Sequence, residues 1–246
     1  MSIYLHIDKK QKSYNGNSEF DEFKGRGLTG LQNLGNTCFI NSAIQCLSHT
    51  YELNKFLLKK EYLKTLNKKE DAMMLLEWDK LREVMWSENC AIQPSRFIDR
   101  MQKVAHKKNR ELFTGFDQND ISEFLHFCVD CFHNALSREV EMEIEGNPSN
   151  NHDKMAIKCY EMFKNMYSKD YSDMLPLFYG ISVSVISSTE SSYVNYIPEP
   201  FFNITLPVDD NTNNIYDCFN KYTEKELLTG DNKINNDETG NKENAE

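Results

Sequence analysis

The chain has 246 residues, 39% of them hydrophobic, and 28 Lys and Arg stand against 38 Asp and Glu for a formal net charge of -10. That length and apolar content support one sizeable core or two small ones and exclude a wholly disordered chain, while the acidic balance argues against non-specific nucleic-acid binding and suits a partner with a basic surface. Seven irregularly spaced cysteines, no secretory leader and no apolar run near the ~20 residues of a bilayer span predict a reducing cytoplasmic or nuclear setting, no membrane and no disulfides.

Residues 1–27 are polar and contain Gly, Asn and Lys, and read as a flexible lead-in ending at Gly25-Arg-Gly27. The next segment, Gly30-Leu-Gln-Asn-Leu-Gly-Asn-Thr-Cys-Phe-Ile-Asn-Ser-Ala-Ile-Gln-Cys-Leu47, puts a cysteine where a tight polar loop runs into a helix. Ile40, Ala43, Ile44 and Leu47 recur at helical spacing, so Cys38 falls in or beside the first turn. Unpaired backbone N–H groups and the helix dipole favour negative charge there, and the thiolate is the nucleophilic form of cysteine. A cysteine taken alone is more often a small core residue without chemistry. Here the approach is polar and turn-forming through Gly35, Asn36 and Thr37, and Asn33 is close enough to aim an amide at an oxyanion. Cys46, further along the same helix, reads as packing.

From Leu31 to about Lys169 the signals are mostly helical. Met74, Trp78, Leu81 and Met85 form one stripe, and Pro94 suits the first helical position ahead of Phe97, Met101 and Val104. In Phe113-Thr-Gly-Phe-Asp-Gln-Asn-Asp-Ile-Ser-Glu-Phe-Leu125, Asp120 is placed to cap a helix with Glu123 at its third position. The apolar face of that helix is Ile121, Phe124, Leu125, Cys128, Val129, Phe132 and Leu136. Cys128 and Cys131 form a Cys-x-x-Cys pair, with His126 and His133 nearby. In mid-helix and without a second pair they read as core packing rather than a metal site. The lysines of 59–64 and 107–108 read as solvated helix faces.

Residues 139–153 read as a helix end passing into a surface loop. After Pro176 the pattern changes, and Phe178–Ile186 and Phe201–Val208 read as strands joined by the polar stretch Ser187–Ser192. Residues 229–246 are Asn- and acid-rich with almost no apolar residues, and are expected to be disordered.

The Gly30–Ser42 block resembles the cysteine box of the ubiquitin-specific proteases, Gly-Leu-x-Asn-Leu-Gly-Asn-Thr-Cys-Phe-x-Asn-Ser. Phe113–Leu125 is similar to that family's Phe-x-Gly-x-x-Gln-Gln-Asp-Ala-x-Glu-Phe-Leu box, with Asn119 in place of the second glutamine. Phe178-Tyr-Gly180, Glu199-Pro-Phe201 and Ile204-x-Leu206-Pro-Val208 resemble the start of its fingers region. The resemblance implies an α+β, papain-like ubiquitin-specific protease fold. A helical thumb (28–170) would be followed by β fingers (171–228), the disordered tail (229–246) and an incomplete palm.

The resemblance also implies that Cys38 is the nucleophile, Asn33 the oxyanion donor, and Asp120 a residue that helps hold the basic C-terminal tail of ubiquitin. Capping alone would equally explain Asp120. Where many members carry a Cys-x-x-Cys as half of a zinc site, this chain has Ser188-Thr-Glu-Ser191, so no metal and no other cofactor is expected. The family's histidine box is not found, because His49, His106, His126, His133 and His152 all precede the strands.

Two functions follow. One is a thiol-dependent deubiquitinase present as a partial catalytic domain, whose palm is completed by a C-terminal half or a second chain. The other is a non-catalytic ubiquitin-binding or scaffolding homologue without a general base.

Overall fold

The structure, a computed structural model, describes residues 2–6, 21–67, 69–115 and 117–246. In chain order the helices and strands are β1 (Ser2–His6), β2 (Gly30–Leu31), α1 (Cys38–Ser48), α2 (Tyr51–Leu58), α3 (Glu70–Ser87), β3 (Ala91–Ile92), α4 (Ser95–Lys107), α5 (Ile121–Leu136), β4 (Glu141–Glu145), α6 (Asn151–Tyr167), α7 (Leu175–Phe178), β5 (Gly180–Ser187), β6 (Val194–Phe201), α8 (Ile215–Tyr222), β7 (Ile234–Asn235) and β8 (Lys242–Glu243). They form two units, one of the described residues within 9–141 and 167–178, the other of 2–6, 142–166 and 179–246. Among the described residues no helix is long and apolar enough to cross a membrane.

The first unit is the helical one, built around α3, whose stripe Met74, Trp78, Leu81 and Met85 is buried as its spacing predicts. Trp78 lies edge-on to Phe97 of α4 at 6.1 Å and tilted against Phe132 of α5 at 6.0 Å. Burying side chains of this size stabilises by roughly 1.5–3 kcal/mol each. The helix also carries charge inside: Asp79 and Arg82 are buried, with Arg82 Nε and Nη2 donating to Asp79 Oδ1 at 2.9 and 2.6 Å. Tyr62 Oη donates to Asp79 Oδ2 at 2.6 Å, and Lys60 donates to the same oxygen. Burial pushes the Asp79 carboxyl up, but the hydrogen bonds from Lys60, Tyr62 and Arg82 outweigh it and hold the group below the usual carboxylate range.

The approach to the cysteine loop belongs to this unit and is tightly held. Residues 7–20 of the expected lead-in lie outside the described residues, but 21–27 are not loose. Phe23 is buried, stacked on Tyr51 at 4.8 Å and edge-on to Trp86 at 5.3 Å. Arg26 Nη2 donates to Trp86 O at 3.2 Å, and Gly27, at φ 72°, lies against the Trp86 ring. A single apolar anchor and a few donors to the end of α3 suffice to order a polar segment.

The second unit contains β1 paired with β4, the β5–β6 hairpin and the β7–β8 ribbon. Four expectations are corrected here. Residues 141–145 are a strand rather than a helix end, and α6, up to residue 166, belongs with the strands rather than with the helical part. The second strand of the hairpin is Val194–Phe201, not Phe201–Val208, in a register that sets Gly180 opposite Phe201 and Ser187 opposite Val194. Pro198 and Pro200 share one parity in a strand with a single partner, and an unpaired edge is where a strand tolerates proline. The 229–246 segment is ordered: β7 and β8 pair, Ser187 and Glu246 exchange both backbone hydrogen bonds at 2.9 Å, and Ala245 pairs with Leu228 at 2.7 and 3.1 Å. Strand pairing supplies what apolar burial does not.

Candidate active site

The cysteine loop is fixed from behind before it reaches the thiol. Buried Thr29 donates through Oγ1 to the carbonyls of Met85 and Glu88 at 2.8 and 2.6 Å, and Gln45 Nε2 of α1 donates to Thr29 O at 2.8 Å. β2 runs parallel to β3, Gly30 opposite Ala91 and Leu31 opposite Ile92, so the loop leaves from the C-terminal end of α3. Asn41 Nδ2 reaches back from α1 to the carbonyls of Leu31 and Gln32 at 3.4 and 3.2 Å. The loop is therefore tied to the first two turns of the helix it feeds.

Inside the loop Asn33 organises the turn. Its Oδ1 accepts from Gly35 N at 3.0 Å, Thr37 N at 3.2 Å and Thr37 Oγ1 at 3.0 Å. Thr37 Oγ1 in turn accepts from Leu34 N at 3.0 Å. Gly35 and Asn36 take positive φ, 98° and 49°, which the sequence anticipates with the two residue types that tolerate it. With its oxygen held by three donors, the side-chain amide of the exposed Asn33 is held in one orientation. A donor held in advance is what oxyanion stabilisation needs.

Cys38 is the first residue of α1 and is exposed. Among the described residues no hydrogen bond reaches its thiol. His49 Nδ1 donates to Gln45 O at 2.9 Å, with its ring against Trp86. His133 shares Nδ1 with Ser172 Oγ at 2.7 Å and Nε2 with Asp170 at 3.3 Å, so it ties α5 to the 168–173 segment. Cys46, expected to pack, is exposed.

Asp120 caps α5, its Oδ1 accepting from Glu123 N at 3.0 Å. Asn119, where the glutamine is usual, donates to the carbonyls of Leu112 and Asp117 at 2.8 and 3.0 Å and holds the turn ahead of the helix. Phe39 of α1 meets Phe124 of α5 edge-on at 5.3 Å, and Phe124 meets Phe113 at 5.4 Å. Phe39 and Phe124 both lie in the first turn of their helices, so this contact brings the Cys38 and Asp120 ends together. Glu123 borders an open groove of about 390 Å³ that Arg110, His126 and Asp130 also line.

Cys128 and Cys131 are buried in the core, and burial pushes both thiols up, as expected of packing cysteines. Thr29, Asn41 and Gln45 were not singled out in the sequence, and of Thr37 only its part in the turn was. Apart from the Asn33 contacts of Thr37, their partners are backbone groups, which leave no trace in side-chain patterns.

The family profile described as "Ubiquitin carboxyl-terminal hydrolase" matches residues 29–227. Ubiquitin carboxyl-terminal hydrolase 2 of Homo sapiens is 33% identical over 226 residues, an alignment covering 89% of this chain and 36% of the relative. Ubiquitin carboxyl-terminal hydrolase Usp2 of Drosophila melanogaster is 32% identical over 212 residues, covering 85% of this chain and 22% of the relative. The chain thus spans about a third or less of the length of these curated relatives. Among solved structures, the SAGA Ubp8/Sgf11/Sus1/Sgf73 DUB module bound to ubiquitin aldehyde contains a chain similar at a TM-score of 0.61 and 19% identity, covering 89% of this chain and 43% of that one. At that identity the likeness concerns the fold.

Proposed function

The chain belongs to the ubiquitin carboxyl-terminal hydrolase family, with the papain-like α+β fold of its ubiquitin-specific proteases, and from that premise we propose that it carries the nucleophile half of a thiol-dependent deubiquitinase. The Cys38 thiolate attacks the carbonyl carbon of the C-terminal glycine of ubiquitin. The negative charge moves to the carbonyl oxygen, which Asn33 Nδ2 and backbone N–H groups at the start of α1 receive. Collapse expels the lysine amine, which takes up a proton, and leaves a thioester on Cys38 that water then hydrolyses. Asp120, with one oxygen on the helix cap, has its other oxygen for the basic tail of ubiquitin. The observation that carries this reading is the Asn33 amide, locked by Gly35 and Thr37 five residues before an exposed cysteine at a helix start.

Such a mechanism needs a base to take the thiol proton and an acid for the leaving amine. We assign that role to a histidine supplied by polypeptide other than these 246 residues, whether a further segment or a second chain. A second reading, a ubiquitin-binding homologue without turnover, is favoured by one observation: His49 and His133 are hydrogen-bonded to Gln45 O and Ser172 Oγ rather than to the Cys38 thiol.

The test is incubation of the purified protein with ubiquitin carrying a C-terminal thiol-reactive electrophile, read by intact mass. An adduct in the native protein that is lost in Cys38→Ala supports the enzyme reading. No adduct from a folded protein that nonetheless binds unmodified ubiquitin shows that these residues do not react unaided and favours the binding module.

A further inference from the structure

The loop between β5 and β6 carries Ser188 and Ser191 where relatives with a zinc site place cysteines. The donor set here does not fit a zinc ion. Ser188 Oγ donates to Glu243 Oε2 at 2.5 Å and accepts from the backbone N–H groups of Glu190 and Ser191, each at 3.0 Å. Its single proton and both lone pairs are thereby engaged. Ser191 Oγ donates to the same carboxylate oxygen at 2.6 Å and accepts from Tyr193 N at 3.3 Å. The other oxygen, Oε1, takes Asn236 Nδ2 at 2.7 Å, while Asn236 Oδ1 accepts from Glu238 N at 2.9 Å and Thr239 N at 3.3 Å. Neutral hydroxyls are in any case poor zinc ligands beside thiolates.

We propose that the Glu243 carboxylate takes the place of a metal in this part of the second unit, drawing the 188–191 loop and the β7–β8 ribbon onto one buried anion. Glu243 is only 7% exposed, and no cation among the described residues pairs with it. The nearby Lys233 lies instead 3.8 Å from Glu190, and Lys225 pairs with Glu246 at 2.5 Å. An anion buried without a countercharge is costly unless hydrogen bonds satisfy it. Here hydrogen bonds from Ser188, Ser191 and Asn236 do so and hold the carboxyl below its usual range. The three donors come from two segments more than forty residues apart, which backbone pairing of 187–189 with 244–246, Asn244 donating to Glu190 and Tyr193 Oη donating to Asp237 also join. Gly240, at φ 73°, closes the turn that carries Asn236 back to β8.

The experiment is amide hydrogen exchange on the whole protein, with metal analysis. Native protein should show no stoichiometric zinc, and exchange across 187–191 and 234–246 should be unchanged by a strong zinc chelator. In Glu243→Ala, exchange in those segments should rise about tenfold or more, the scale expected when hydrogen bonds to a charged group are lost, while α3 and α5 keep their protection. Should Glu243→Ala fail to fold, Ser191→Ala and Ser188→Ala each remove one donor and should give smaller rises confined to the same segments. One zinc per chain, opening of the segments by chelator, or unaltered exchange in every variant overturns the proposal.

Discussion

At the scale of single residues, the site rests on amide geometry. Asn33→Ala removes the held donor and also frees the Gly35–Thr37 turn. We expect adduct formation with a ubiquitin electrophile to slow by about 100-fold or more, with little change in thermal stability. Thr37→Val keeps the amide but removes one of the donors that orient it, and should fall between Asn33→Ala and the native protein. Asp120→Ala loses the cap on α5, which costs about 1 kcal/mol, seen as a lower denaturation midpoint. Asp120→Asn keeps a capping oxygen and removes the charge, so a drop in ubiquitin affinity in that variant would show that the charge also serves the tail. The helix start at Cys38, the Gly-Asn turn after Asn33 and the Asp120 cap were legible from local chemistry, whereas the roles of the three residues in a reaction came from the family resemblance and stand as proposals. Cys46 was misjudged because helical spacing alone does not say which flank of a short helix meets the core.

At the scale of elements, α3 was legible along its apolar stripe and illegible at Asp79 and Arg82. Those two satisfy each other across one helical turn with help from Lys60 and Tyr62, partners that no periodicity reveals. The α5 cap was foreseen to the residue, whereas α4 begins one residue after the expected Pro94. The β region was legible as strands, but the second lies at Val194–Phe201 rather than 201–208, because an open edge accepts Pro198 and Pro200. The entry to the cysteine loop offers a sharp test. A Cβ on Gly27 would sit 2.7 Å from the Trp86 ring, at a φ that side chains rarely adopt. Gly27→Ala should therefore destabilise by about 1–3 kcal/mol, measurable by chemical denaturation.

At the scale of the whole molecule, the described residues divide into two units whose boundary crosses the chain more than once. Residues 142–166 go with the strands and 167–178 with the helices. Long-range pairings such as Arg138 with Tyr171 and Asp173 decide that, and they are invisible in a linear reading. The buried Asp79 cluster sets a pH limit for the helical unit. Its folded carboxyl lies below the unfolded value, so the stabilisation is complete above the ordinary carboxylate range and disappears as pH falls through the lowered value. The thermal midpoint should be flat near neutrality and fall on the acid side. Asp79→Ala, which strands a buried arginine, should lower stability by roughly 3–5 kcal/mol at neutral pH.

Trp78, in the α3 core, and Trp86, beside Phe23, are the two tryptophans of the chain, and both belong to the helical unit. The β unit emits through tyrosine alone. Light absorbed only by indole thus reports one unit, and circular dichroism reports both. Comparing the two signals through a single denaturation would reveal whether the halves melt as one body or in sequence, with no label added.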